Sequence, residues 1–206
     1  MRGDPFIFTL LDDPTRFLQY IVIIVVSICL HELGHGFAAI YLGDDTPIRS
    51  GHMTWNPIVH MGVPSLIFLI MTGMAWGSMP VTPSRFRSSY GNAIVSAAGP
   101  FTNFALAISC AFVVNLLLLL SRTAIVVGLA NFFWLAAYIN IILGLFNLIP
   151  VPPLDGFQVF KRFIPELGSI EGTPYGFVAL YILFFTGAAS GLSLVAAAVV
   201  RFLVNA

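Results

Sequence analysis

Apolar residues run without a charge from Phe17 to Leu30, pass through His31-Glu32-Leu33-Gly34-His35, and resume in Gly36-Phe37-Ala38-Ala39-Ile40-Tyr41-Leu42 up to Gly43. No turn signal interrupts this pattern, so it predicts one membrane-length helix over 17–42. Asp12-Asp13-Pro14-Thr15 just before it reads as a helix start. Two more long apolar runs, 89–120 and 125–149, are separated only by Ser121-Arg122-Thr123 and predict a pair of spans. A last apolar region, 175–204, is interrupted by Gly187-Ala188-Ala189-Ser190-Gly191 and fits either one tilted span or a span with a re-entrant tail. Pro64 to Trp76 is apolar but only about 13 residues long, short of the ~20 a spanning helix needs, so 64–76 is expected to be re-entrant. Residues 44–62, polar and broken by Pro47 and Pro57, predict a loop or short β-hairpin beside the first span.

These elements predict an all-α polytopic membrane protein, a single domain over 1–206. About four to six membrane segments would form a bundle, with a short re-entrant or β-hairpin region next to the histidine helix. Composition agrees: the 206 residues are 58% hydrophobic and 9% charged, where a soluble domain carries about 25% charged residues. Formal net charge is zero and there is no basic tract, which argues against a nucleic-acid partner. The first sixteen residues hold Asp4, Asp12 and Asp13 and lack the apolar core of a cleavable signal peptide. Arg49, Arg85, Arg87, Lys161 and Arg162 fall in the loops that this topology puts on one side, which the positive-inside rule makes cytoplasmic.

Within the first span, His31 and His35 differ by about 40° of helical rotation and share a face; Glu32 lies about 100° from His31 and flanks it. Two neutral imidazoles beside a carboxylate are what a zinc ion with an activated water requires. With four histidines in 206 residues, His-Glu-x-x-His would arise by chance roughly once in a thousand such chains. Ionisable residues inside a bilayer cost roughly 2.5 kcal/mol or more each, so three within five positions argue for function. A catalytic zinc usually takes a third protein ligand. Asp155, after the proline-rich run Asn147-Leu148-Ile149-Pro150-Val151-Pro152-Pro153-Leu154, is the foremost candidate, and it reads equally as an N-cap for a helix starting near Phe157. His52 and His60 are further candidates from the intervening loop.

His31 to His35, Gly99-Pro100 with Asn103, and Asn147 through Leu154-Asp155-Gly156 resemble, in matching order, the three signatures of the site-2 protease family of intramembrane zinc metalloproteases. The stretches 51–60 and 76–87 are similar to its compact prokaryotic branch, which lacks PDZ and CBS domains. The resemblance implies one Zn²⁺ held by His31, His35 and Asp155, with Glu32 as general base. It implies peptide-bond hydrolysis in a transmembrane protein or peptide substrate. Asn147, and with it Asn56, His60 and Asn103, are the candidates for contact with that substrate, and an unwound substrate segment could pair with a strand near 51–56. The location implied is a prokaryotic plasma membrane, with the active site nearer the cytoplasmic face of the lipid bilayer. The competing class is a zinc or other metal-ion transporter, or a membrane metal sensor. It expects ligands along a two-sided path and often an internal repeat, and neither is visible in the sequence.

Overall fold

A computed structural model of the chain describes residues 6–185 and 188–204. Its principal helices are α1 (Pro14–Tyr41), α2 (Pro57–Thr72), α3 (Gly91–Leu120), α4 (Ala124–Asn147), α5 (Asp155–Lys161), α6 (Tyr175–Phe185) and α7 (Ala188–Val204). Three of them, α1, α3 and α4, are long and apolar enough to cross a membrane, with 28, 30 and 24 residues. At 1.5 Å per residue they measure about 42, 45 and 36 Å, against a hydrocarbon core of ~30 Å. The chain is an integral membrane protein built from helices.

Each boundary has a local cause. Asp13 caps α1 by accepting the Arg16 amide at 2.9 Å, and Pro14 occupies the first turn, where its missing N–H leaves no bond unmade. The turn at Ser121–Thr123 returns α3 directly into α4. Small residues line their shared core, where Ala107, Ala111, Ala130 and Ala137 are buried together with Val114 and Ile141, and α7 adds Ala196, Val200 and Val204. Alanine lets helix backbones approach closely, which is how helices associate where lipid offers no hydrophobic contrast. A second cluster, of Ile23, Ile24, Ile28, Met61, Leu69, Ala136 and Ile139, packs α1 against α2 and α4. Half of the apolar window of α1 is buried, compared with 22% for α3 and 33% for α4, so the histidine helix is the most enclosed of the three.

Two expectations change. Of the loop or short hairpin expected over 44–62, the hairpin is not formed: among the described residues there is no strand. A hairpin needs two runs that exchange ladder bonds, whereas here the amides turn back on their own neighbours, His52 to Pro47 and Thr54 to His52. The apolar segment expected over 64–76 is helical over Pro57–Thr72, because Asn56 caps it through the Ile58 amide and Gly73 ends it in the left-handed conformation. It is two pieces joined at Gly62, whose φ of 69° and ψ of 161° break the helix just before Pro64 begins the second piece. The region 175–204 is likewise two helices, α6 and α7, and the break foreseen at 187–191 falls partly outside the described residues.

Candidate metal centre

His31 and His35 come from consecutive turns of α1 and are both 7% exposed, with Glu32 between them at 6%. Asp155 opens α5, and its carboxylate crosses to them over 124 residues of chain. Asp155 Oδ2 lies 3.0 Å from His31 Nε2 and 3.4 Å from His35 Nε2, and the two Nε2 atoms are 3.0 Å apart. The capping role that the sequence left open is absent, since Leu154 is the N-cap of α5, Asp155 is its first residue, and no side chain caps it. Gly156 makes the approach possible. It packs so closely on the end of α4 that a Cβ there would stand 2.2 Å from the Leu148 carbonyl oxygen.

The protonation of the two rings follows from a buried chain of hydrogen bonds. Asn140 Nδ2 donates to the Ala136 carbonyl and to Ser27 Oγ, both at 2.9 Å, which turns its Oδ1 toward Asn103. Asn103 Nδ2 donates to that oxygen at 2.9 Å, so its own Oδ1 faces His31 Nδ1 at 2.6 Å and must receive an N–H from it. His35 Nδ1 donates to the Val95 carbonyl at 2.7 Å. A neutral imidazole has one N–H, and in both rings it is spent at Nδ1, leaving two Nε2 lone pairs and a carboxylate oxygen facing one another.

With both ring protons assigned to Nδ1, two Nε2 lone pairs and a carboxylate oxygen meet at 3.0–3.4 Å, a donor set that could hold a cation. Zinc bonds of about 2.05 Å at a tetrahedral angle set ligand atoms about 3.3 Å apart, which the triangle matches. Among the described residues these are the ones whose donor atoms converge closely enough that they could hold a metal ion. Backbone crowds the site from the α3 side: a Cβ on Gly99 would lie 2.4 Å from His35 Nε2 and 2.5 Å from His31 Nε2. Glu32 is walled by Gly77, where a Cβ would come within 2.4 Å of its Oε1.

The other residues singled out in the sequence are placed elsewhere. Asn103 is fully buried with both ends of its amide engaged inside the protein, so it orients His31. Asn56 is exposed and caps α2. Asn147 donates to the Leu143 carbonyl one turn back in α4. His60 is 1% exposed; its Nε2 donates to the Thr54 carbonyl at 2.7 Å and its Nδ1 has no partner. His52 bonds Ser50 beside it, and neither histidine joins the His31, His35 and Asp155 group. Sequence reasoning passed over Ser27 and Asn140. Their signal is polarity inside an apolar membrane-length run.

A helical bundle with three membrane-length spans that encloses a His-His-Asp donor set beside a buried glutamate defines a polytopic membrane protein with a candidate metal centre. The model of Peptidase family M50 matches residues 19–123 and 115–192. The chain belongs to that family, the site-2 proteases. It is 34% identical over 186 residues to Putative zinc metalloprotease YwhC of Bacillus subtilis, across 84% of this chain and 83% of that one. It is 28% identical to Putative zinc metalloprotease Rip2 of Mycobacterium tuberculosis, across 81% of this chain and 66% of that one. It is also 28% identical to Putative zinc metalloprotease MJ0611 of Methanocaldococcus jannaschii, across 79% of this chain and 84% of that one. No solved structure gives a significant match.

Proposed function

We propose that the protein is a zinc-dependent intramembrane endopeptidase in which His31, His35 and Asp155 hold one zinc ion and Glu32 is the general base. Family membership and the names of its relatives make it a zinc metalloprotease. The observation that carries the residue assignment is the triangle of acceptors with both Nδ1 protons already committed. When bound there, such an ion supplies a water whose pKa falls toward about 7 and polarises the scissile carbonyl. Glu32, next to His31 on the helix, accepts the proton of that water at its carboxylate and delivers it to the leaving amine. Burial of Glu32 against Gly77 keeps bulk water from competing for the proton. Asn103 and the Val95 carbonyl hold the imidazoles in the tautomer that presents Nε2.

The substrate in this reading is a membrane-spanning or membrane-associated protein or peptide, locally unwound so that its carbonyl is free of helical hydrogen bonds. α1, α3 and α4 cross a prokaryotic plasma membrane. The 16-residue α2, about 24 Å long and broken at Gly62, enters and leaves on the same side. Arg49, Arg85, Arg87, Lys161 and Arg162 make that side cytoplasmic. The test combines zinc analysis with cleavage of a single-span substrate in reconstituted membranes. Glu32→Gln is expected to retain zinc and lose on the order of 10² or more in rate; cleavage at the wild-type rate removes Glu32 as base. Asp155→Ala is expected to lower the zinc content, and unchanged stoichiometry removes it as a ligand.

A further inference from the structure

We propose that Ser65 is a positioning residue of the site: together with the carbonyl that the break in α2 frees at His60, its hydroxyl seats Trp76 and Ser78 so that Gly77, between them, confines Glu32. The inference rests on the reading of Glu32 as the general base.

The seat follows from the order of residues in α2. In an unbroken helix the His60 carbonyl accepts the amide of residue 64, but residue 64 is a proline and has none. Gly62, at a φ of 69°, turns the chain just before it. The Ser78 amide takes the freed carbonyl of His60 at 2.9 Å. Ser65, the residue after the proline, is 0% exposed and holds the other side. Its Oγ accepts the Trp76 amide at 2.9 Å and donates to the Trp76 carbonyl at 2.7 Å, so one hydroxyl grips both backbone polar groups of a single residue. Three residues further along α2, the Phe68 ring packs against the Trp76 ring with centroids 5.5 Å apart.

Gly77 thus has a held neighbour on either side, and its backbone is fixed where α1 passes. A Cβ built on it would collide with Glu32 Oε1 and stand 2.8 Å from Glu32 Cγ and from Ile28 Cγ2. The peptide lies against the Glu32 side chain and blocks its rotation toward the returning segment. Position matters for a group that moves a proton: a misplacement of about 1 Å costs on the order of 10² in rate. Without the Ser65 hydroxyl both polar groups of Trp76 lose their partner, Gly77 can lift, and Glu32 gains the rotamers and the water that the wall excludes. Neither Ser65 nor Trp76 belongs to the His31, His35 and Asp155 group, so the effect falls on the base and spares the zinc.

The test uses the full chain in reconstituted membranes and two readouts. Hydrogen exchange at the Trp76 and Ser78 amides, followed by mass spectrometry, reads the seat; steady-state cleavage of a single-span substrate reads the base. Ser65→Ala is expected to speed exchange at these amides by about tenfold through local opening. It should keep the wild-type zinc stoichiometry and lower kcat on the order of tenfold to a hundredfold with KM nearly unchanged. Unchanged exchange overturns the proposal, and so does faster exchange with wild-type kcat. Loss of zinc overturns it as well, since the effect would then pass through the ligands. Should Ser65→Ala fail to fold, Ser65→Cys puts a weak donor and acceptor in place of the hydroxyl, and the same outcomes decide. Ser65→Thr keeps the hydroxyl and is expected to show wild-type exchange and wild-type kcat together; wild-type exchange with kcat still low overturns the link to Glu32. Exchange does not depend on activity, so cleavage by Glu32→Gln at the wild-type rate would remove the base while the test of the seat stands.

Discussion

Replacing Gly99 by alanine adds one methyl group and changes no ligand. Built on the α3 backbone, its Cβ would stand 2.4 Å from His35 Nε2, 2.5 Å from His35 Cε1 and 2.5 Å from His31 Nε2. Ordinary contacts between such atoms are about 3.5 Å, so roughly 1 Å must be found. The rings have little freedom to give it, because each is tethered at Nδ1, one to Asn103 at 2.6 Å and the other to the Val95 carbonyl at 2.7 Å. Metal–ligand distances tolerate only about 0.2 Å, so a 1 Å displacement of even one imidazole breaks the donor triangle. The expected loss of zinc affinity is about 100-fold, or about 2.8 kcal/mol. Competition with a chromophoric chelator on purified protein measures it, with helix content by circular dichroism as the control. A Gly99→Ala protein that folds and binds zinc as tightly as wild type would refute the packing argument.

Asn103→Ala is expected to weaken zinc binding about 10- to 100-fold, since His31 then loses the acceptor that fixes its tautomer. The same chelator titration reads it. Gly156→Ala directs a Cβ to 2.2 Å from the Leu148 carbonyl oxygen, and backbone cannot yield as a side-chain tip does; zinc content should fall toward that of Asp155→Ala although every ligand is present. For Asp44, burial raises the pKa, but the Thr46 hydroxyl and the Thr82 and Thr46 amides outweigh it, with Arg85 adding to them, so it sits below the ordinary 3.8. A carboxyl with a depressed folded-state pKa stabilises fully above its unfolded value. The difference in thermal midpoint between wild type and Asp44→Asn should thus be constant above about pH 5 and shrink as pH falls below 3.8. A difference that grows on acidification would reverse the sign of this reasoning.

The sequence made the first half of the site legible because its geometry is local. Two imidazoles four residues apart share a helix face whatever surrounds them. Asp155 was ambiguous for the opposite reason: a residue opening a short helix can serve as a cap or reach across the bundle, and only packing over 124 residues decides. The hydrogen-bond chain through Ser27, Asn140 and Asn103 joins three helices, and helical periodicity does not say which faces meet. The carbonyl of Val95 carries no side-chain signal at all. Helix lengths were readable to within a few residues for α1, α3 and α4, where hydropathy dominates. The start of α2 at Pro57, inside the stretch expected to be a loop or short hairpin, is not legible because a proline that starts a helical piece and one that ends a loop look alike in sequence.

The donor set is split between a helix made early and a turn made late in synthesis. Until residue 155 has emerged and α5 has docked on the end of α4, the two imidazoles have no carboxylate to complete them. On the proposed ligand set, a chain that has inserted α1 but not yet made residue 155 lacks the third donor of the triangle.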